Sequence, residues 1–293
     1  MTKKPVIACV GEAMVELSFD RPEQQLGFAG DTLNTAVYLA RASGSSAQVE
    51  FVTVLGSDAV SDRMSAFIAA QGVGCARIRR HPERLPGIYA IALDAKGERS
   101  FSYWRDQSAA RCLFEDGFAQ LEGVDLIYLS AITLAILPHP VRLSLLAHLE
   151  AHPARVAFDS NYRPRLWENA ETARAVTEAA WRIADIALPS LDDEMALFGD
   201  PDAQAVRARL NGWGARKGAL KMGAGGAMSL DPTAKPLDLP AAQKVVDTTA
   251  AGDSFNGAWL AAHFRGASDE DCLVQAHACA LEVIAQPGAI IAA

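Results

Sequence analysis

The sequence predicts an α/β fold: a mainly parallel sheet with helices on both faces, plus a small separate β-sheet. Two observations carry this. Short apolar runs alternate with stretches of helical periodicity along most of the chain. Strands separated by helices of about 10–15 residues indicate a parallel sheet. Two stretches, Glu12–Phe28 and Gly87–Arg105, break that rhythm with residue-by-residue alternation and no helix between strands. Such strands do not join a parallel sheet easily, because a parallel crossover needs about a dozen residues.

In chain order, Val6–Val10 reads as a buried strand and Asp31–Ala42 as a helix opened by an acidic N-cap. Phe51–Leu55 is a second apolar strand, followed by a helix over Ala59–Gln71. Within Gly87–Arg105, Asp94-Ala-Lys-Gly97 supplies a hairpin turn between alternating flanks. Leu126–Ser130 and Val156–Asp159 are short apolar runs that each end in a polar residue, with helices over Pro140–Ala151 and Glu171–Ile183. Ile186–Pro189 precedes a helix from about Asp192, Ala219–Lys221 is a further strand, and a long terminal helix starts at Gly252. No internal repeat or long linker interrupts the series. The chain therefore reads as one domain over 1–293, with a discontinuous β lid from about 12–30 and 86–106.

The 293 residues are 50% hydrophobic and 21% charged, a composition that buries a large core. A net charge of -8 argues against a nucleic-acid or anionic-membrane partner, since either needs a basic footprint. Two lysines run straight into the first strand without the apolar core of a signal peptide. The longest apolar run, about Leu126–Leu137, is too short to span a bilayer. Cys9, Cys75, Cys112, Cys272 and Cys279 are scattered, with no C-x-x-C, as expected of a reduced, cytoplasmic protein. Cys272 and Cys279 fall on one helix face as packing residues. His148 and His152 have the spacing of a zinc pair, but no third ligand accompanies them. No G-x-x-x-x-G-K-[ST] occurs, and no G-x-G-x-x-G follows the first strand, so neither a Walker loop nor a dinucleotide fingerprint is present.

The chemistry concentrates in Val245-Val-Asp-Thr-Thr-Ala-Ala-Gly-Asp-Ser-Phe-Asn-Gly. Small residues Ala250, Ala251 and Gly252 stand just before an apolar helix and leave its first N–H groups uncovered. With the helix dipole these make an anion site. Asp253 sits inside that turn. A carboxylate beside an anion site is costly unless it has work to do, such as taking a proton from a hydroxyl.

Asp247-Thr-Thr-Ala-Ala-Gly-Asp-Ser-Phe255 resembles the C-terminal signature of the ribokinase-like (PfkB-type) sugar kinases, whose commoner form has Gly at position 250. The resemblance implies a three-layer αβα sandwich with a β-sheet lid, ATP and Mg2+ as cofactors with a monovalent cation left open, and Asp253 as general base beside an anion hole of Ala250, Ala251 and Gly252. Val10-Gly-Glu-Ala-Met-Val-Glu-Leu17 resembles the first strand entering the lid, and Gly27–Arg41 the N-terminal sugar-binding signature. Gly30, Asp31, Thr32, Leu33 and Asn34 are thereby expected at the sugar. Glu194 of Leu191-Asp-Asp-Glu194 matches the glutamate of a magnesium motif acting through water, while Leu191 replaces its Asn. Lys221-Met-Gly-Ala-Gly-Gly226 resembles the strand and turn facing ATP, joined there by Asn161, Tyr162, Arg163, Ser190 and Ala250–Asp253.

Gly30–Asn34, Tyr103-Trp-Arg105 and Asn161-Tyr-Arg-Pro-Arg-Leu-Trp167 resemble the kinases of 2-keto-3-deoxygluconate within that family. That acyclic sugar acid carries a carboxylate, for which a planar guanidinium is the natural bidentate partner. Arg105, Arg163 and Arg165 are candidates, and the resemblance favours Arg105 and Arg163, with Tyr89, Tyr103 and Trp104 beside the substrate. A fructokinase or ribokinase would share everything except the last two stretches, and a non-catalytic sugar-acid sensor would lack Asp253. Exposed strands in a lid need their edge covered, and self-pairing into a dimer is a natural answer.

Overall fold

The computed structural model describes residues 4–19, 25–93 and 99–292. The chain runs β1 (Val6–Val10), β2 (Met14–Ser18), β3 (Gln25–Ala29), α1 (Asp31–Ser43), β4 (Gln48–Gly56), α2 (Ala59–Ala70), β5 (Ile78–His81), β6 (Gly87–Leu93) and β7 (Arg99–Trp104). It continues with β8 (Leu126–Ser130), α3 (Ala131–Ile136), α4 (His139–Ala151), β9 (Arg155–Asp159), α5 (Ala170–Ile183), β10 (Ile186–Ala187), α6 (Leu191–Phe198) and α7 (Ala203–Gly212). It closes with β11 (Ala219–Lys221), β12 (Ala227–Ser229), α8 (Ala251–Phe264) and α9 (Asp269–Ile284).

Six strands form one parallel sheet in the order β10-β9-β8-β1-β4-β5. Its central strands are buried on both faces, so successive residues feed two cores. Ala8, Val10, Val52, Val54, Ile127 and Leu129 pack with side chains from α3 to α7. Their neighbours Ile7, Cys9, Phe51, Leu55 and Tyr128 pack with side chains from α1, α2, α8 and α9. This is the expected three-layer arrangement. The β11–β12 hairpin extends it beyond β10 through a bridge between Ser190 and Lys221. A separate four-stranded sheet, β3-β2-β6-β7, holds the two alternating stretches. The hairpin turn expected at Asp94–Gly97 lies outside the described residues.

Two boundaries differ from expectation. Asp31 is not the N-cap of α1: Gly30 holds that position, with no side-chain cap, and the Asp31 carboxylate reaches across to Ser130 and Asn161 instead. The terminal helix is two helices. Gly266, at φ 82°, turns the chain, and the Ser268 side chain caps α9 by accepting from Asp271 N.

What positions the site is the contact between α1 and α8. A Cβ on Gly257 would lie 2.7 Å from both Leu39 N and Thr35 O, so α8 presses directly on the α1 backbone. This sets Asn34 opposite Asp253. Gly257→Ala should lower stability by about 1–3 kcal/mol through overpacking, although alanine is the better helix former by about 1 kcal/mol. A thermal melt checks it. A raised melting temperature would mean that the helices are not in backbone contact there.

Candidate active site

The parallel strands of the large sheet point their C-terminal ends to one side, and the neighbours β8 and β9 end there in polar residues. Ser130 ends β8 and Asp159 ends β9. This is where open α/β sheets bind ligands. Ser130 donates to the Asp31 carboxylate, which also accepts from Asn161 Nδ2 at 3.1 Å. Burial pushes the Asp31 carboxyl above its ordinary range, against the hydrogen bond from Ser130. Asn161 itself has φ 23°, in a region that asparagine tolerates better than most side chains.

The start of α8 faces this rim. Ala250 is its N-cap at φ 60°, a left-handed conformation that costs an L-residue about 1–2 kcal/mol. Of the three-residue hole expected at Ala250–Gly252, Ala250 and Gly252 keep N–H groups with no protein acceptor among the described residues. Ala251 N–H folds back onto Thr248 O at 3.2 Å. The N–H groups of Gly252 and Asp253 donate to no protein acceptor among the described residues. Two orphan donors at a helix N-terminus are what an anion takes.

Asp253 is half-buried, and its Oδ2 accepts from Asn34 Nδ2 at 2.8 Å. Burial first, and then the negative charges of Asp31 and Asp159, push its carboxyl up to about 8, while Asn34 and Lys221 oppose the rise. At neutral pH the free protein thus holds much of this group as the acid. Beneath it, Lys221 Nζ donates to Asp159 Oδ1 at 3.0 Å and to Asn256 Oδ1 at 2.9 Å. Asn256 Nδ2 donates to Asp159 Oδ2 at 2.7 Å and to the Tyr128 hydroxyl at 3.0 Å.

The small sheet forms the other wall. Tyr89 is buried, donates its hydroxyl to Glu16, and stacks on Tyr103 with ring centroids 5.9 Å apart. It packs with Met14, Ile91 and Ala289, against which Ala250 also rests. Trp104 does not share that face. Tyr89 pairs with Tyr103 and Ile88 with Trp104, and successive strand residues point to opposite sides. The sequence expectation for Trp104 therefore needs correcting, while Tyr89 and Tyr103 lie together. Arg105 is buried in an ion pair with buried Glu12.

The other expected residues separate. Gly30 is held tight: a Cβ there would lie 2.1 Å from Glu12 O. Thr32 and Leu33 have fully buried side chains, Leu33 in the core, so neither offers its side chain to a ligand. Ser190 holds the N-cap position of α6 without a side-chain cap, and its N–H donates to Ser160 Oγ at 2.8 Å. Met222 leads into an exposed turn over Gly223, Ala224 and Gly225, which returns through Gly226. Tyr162 is buried. Arg163 is exposed and pairs with Asp193 at 3.4 Å. Arg165 is also exposed.

Glu194 is the clearest correction. Its side chain is fully buried, with Oε1 accepting from Trp181 Nε1 at 3.2 Å and Oε2 from Arg209 at 2.9 Å. Both oxygens are committed to protein donors, which leaves little for a metal or its water. Asp193, one residue earlier, is the carboxylate of this turn that feels Arg163, Asp159 and Lys221, and burial pushes it up to about 6. Sequence reasoning missed Asp159, Asn256, Tyr128, Asp193 and Glu12. Asp159 had a signal, a polar residue closing an apolar strand. Asn256 lies three residues after Asp253, on the same face of a helix.

The profile of the pfkB family carbohydrate kinases matches residues 4–293. The chain is 41% identical to the 2-dehydro-3-deoxygluconokinase of Escherichia coli K12, covering 99% of this chain and 98% of that protein. The crystal structure of 2-dehydro-3-deoxygluconokinase from Thermotoga maritima superposes with a TM-score of 0.84 at 22% identity, covering 99% and 96% of the two chains. Fructokinase from Vibrio cholerae O395, in its fructose-, ADP- and calcium-bound form, has a TM-score of 0.83 at 23% identity over 97% and 94%. The paired helix starts and orphan amides thus sit in a chain that belongs to the pfkB family of carbohydrate kinases.

Proposed function

We propose that this protein phosphorylates 2-keto-3-deoxygluconate at its terminal 6-hydroxyl with ATP, giving 2-keto-3-deoxy-6-phosphogluconate. The observation that carries this reading is the half-buried Asp253 carboxylate, oriented by Asn34 and placed in the same helix turn as two unpaired amides. The identity with the E. coli 2-dehydro-3-deoxygluconokinase supports the choice of sugar, as does the buried guanidinium of Arg105.

In this reading the sugar acid lies between α1 and the small sheet, which acts as a lid. Arg105 meets the carboxylate, Tyr89 and Tyr103 line the wall, and Gly30, Asp31 and Asn34 hold hydroxyls. The terminal hydroxyl points at Asp253. Its oxygen forms a bond to the γ-phosphorus as the bond to the departing ADP oxygen breaks, and the proton passes to Asp253. The amides of Gly252 and Asp253 stabilise charge on the transferring group. ATP then runs along Lys221–Gly226 and Asn161–Arg163. Among the described residues no three His, Cys, Asp or Glu side chains converge as a cage for a metal. That suits Mg2+, which takes one or two carboxylates and completes its shell with phosphate oxygens and water. Asp193 is a carboxylate at this end of the site that accepts only a long 3.4 Å side-chain bond, from Arg163, and a divalent cation held there would neutralise phosphate charge. No helix among the described residues is long and apolar enough to cross a membrane, and dependence on ATP supports a cytoplasmic setting. Leu26 and Trp104 are exposed on the face of the small sheet away from Tyr89 and Tyr103, and pairing of two lids into a dimer would cover them.

Purified protein assayed with 2-keto-3-deoxygluconate, fructose, ribose and adenosine should consume ATP fastest with the sugar acid. Arg105→Ala should raise KM for that acid selectively, and equal losses on a neutral sugar would refute the carboxylate contact. Asp253→Asn should cut kcat by roughly 10²–10⁴-fold with little change in KM; activity within about threefold of wild type would remove it as the base. The base must be ionised, so kcat/KM should rise with pH to a plateau above about 8. The groups that act on Asp253 are Asp31, Asp159 and Lys221, with the hydroxyls of Tyr38, Tyr89 and Tyr128 also coupled to it. A limb near the ordinary carboxylate range would contradict the burial of this group.

A further inference from the structure

We propose that Lys221 presents its positive charge to the phosphoryl group in transfer, and that Asp159 and Asn256 are the positioning residues that aim it. This rests on the kinase reading of the same site and adds a role that a loop-backbone contact to ATP does not contain.

The ammonium is held with unusual definition. It carries three N–H donors, and two are taken by Asp159 Oδ1 and Asn256 Oδ1. No further acceptor for the third is found among the described residues. Asp159 and Asn256 also bond each other at 2.7 Å, so the three side chains close a triangle. Each corner belongs to a different element: the end of β9, the end of β11 and the second turn of α8. Tyr128, itself bonded by Thr35 Oγ1 at 3.2 Å, braces Asn256 from below. A four-carbon side chain that would otherwise sample many rotamers is thereby fixed.

Its location gives the charge a target. Nζ lies 3.7 Å from the point where a Cβ on Gly252 would sit. The ammonium therefore stands beside the turn whose amides lack acceptors, and glycine keeps the space between them clear. A buried ion pair adds little net stability, because desolvation offsets the Coulomb attraction. Burying Lys221 here is better explained by where it puts a cation than by how much it stabilises the fold. The position also answers an electrostatic problem. Asp31, Asp159, Asp193 and Asp253 gather around a site that has to receive a polyanion. Lys221 is a cation coupled to both Asp193 and Asp253.

The test uses Lys221→Met and Asp159→Asn in the full-length enzyme, with ATP and the acceptor that wild type turns over fastest. For Lys221→Met, kcat should fall about 10²–10³-fold, with KM for the sugar within about threefold. The acidic limb of kcat/KM should move to higher pH, because removing a cation disfavours ionised Asp253. Asp159→Asn should also lower kcat by misaiming the lysine, but its limb should move to lower pH, because an anion has been removed. Both limbs move by charge alone, so the deciding readout is kcat. A brace with only a structural role would lower melting temperature and activity together, with kcat restored when the variant is assayed well below its melting temperature. That result, or a Lys221→Met kcat within threefold of wild type, overturns the proposal. Should Lys221→Met fail to fold, Asn256→Ala, which removes an acceptor of the ammonium without changing charge, decides alone: a kcat within threefold of wild type overturns the proposal. Wild type inactive on every acceptor of the panel would sink the kinase reading instead, whereas an active wild type with an indifferent Lys221→Met sinks only the role of the lysine.

Discussion

Where α1 and α8 touch, the absence of a side chain on Gly257 lets two helix backbones meet, with Thr35 O and Leu39 N directly against α8. Everything at the site follows from that approach. The two helices start at the same rim of the sheet, so their first turns face each other. One turn brings Asp31 and Asn34, the other Asp253 and the open amides. A wider separation would break the 2.8 Å bond from Asn34 and leave the carboxylate free to rotate. Backbone contact is a stiffer constraint than side-chain packing, because it has no rotamers through which to relax.

The same convergence creates the electrostatic character of the site. Strand ends and helix starts deliver carboxylates to one small volume, and burial disfavours their ionised forms. Asp253 is raised chiefly by burial, with Asp31 and Asp159 adding to it. The group is thus poised near neutrality and not far below it. Asn34 and Lys221 work in the opposite direction. The balance between these neighbours decides the protonation state, and none of them is adjacent to Asp253 in the chain.

Arg105 and Glu12 show a related economy on the other wall. Glu12 follows the first strand of the large sheet, and Arg105 follows the last strand of the small one, so their buried pair ties the two sheets where the chain passes between them. A guanidinium has five donors in a planar fork. Its pairing with Glu12 through one terminal nitrogen leaves the rest of the fork for another oxyanion.

Much was determined by sequence alone. Periodicity located the parallel strands, because strands buried on both faces must be continuously apolar, and Val6–Val10 and Leu126–Ser130 match their observed bounds. Alternation without helices separated out the small sheet. Asp253 was legible because a local motif, small residues followed by an acid at a helix start, carries its own chemistry. Other features depended on partners far away in the chain. Glu194 and Asp193 are neighbours in sequence, yet helical rotation sends one to Trp181 and Arg209 and the other toward Arg163. Trp104 and Tyr103 part company through the strand pleat. Asp159, Lys221 and Asn256 are 62 and 35 residues apart, and their meeting was decided only by tertiary structure, since a hydrogen-bond triangle is set by where elements end in space, and no periodicity in the chain encodes that.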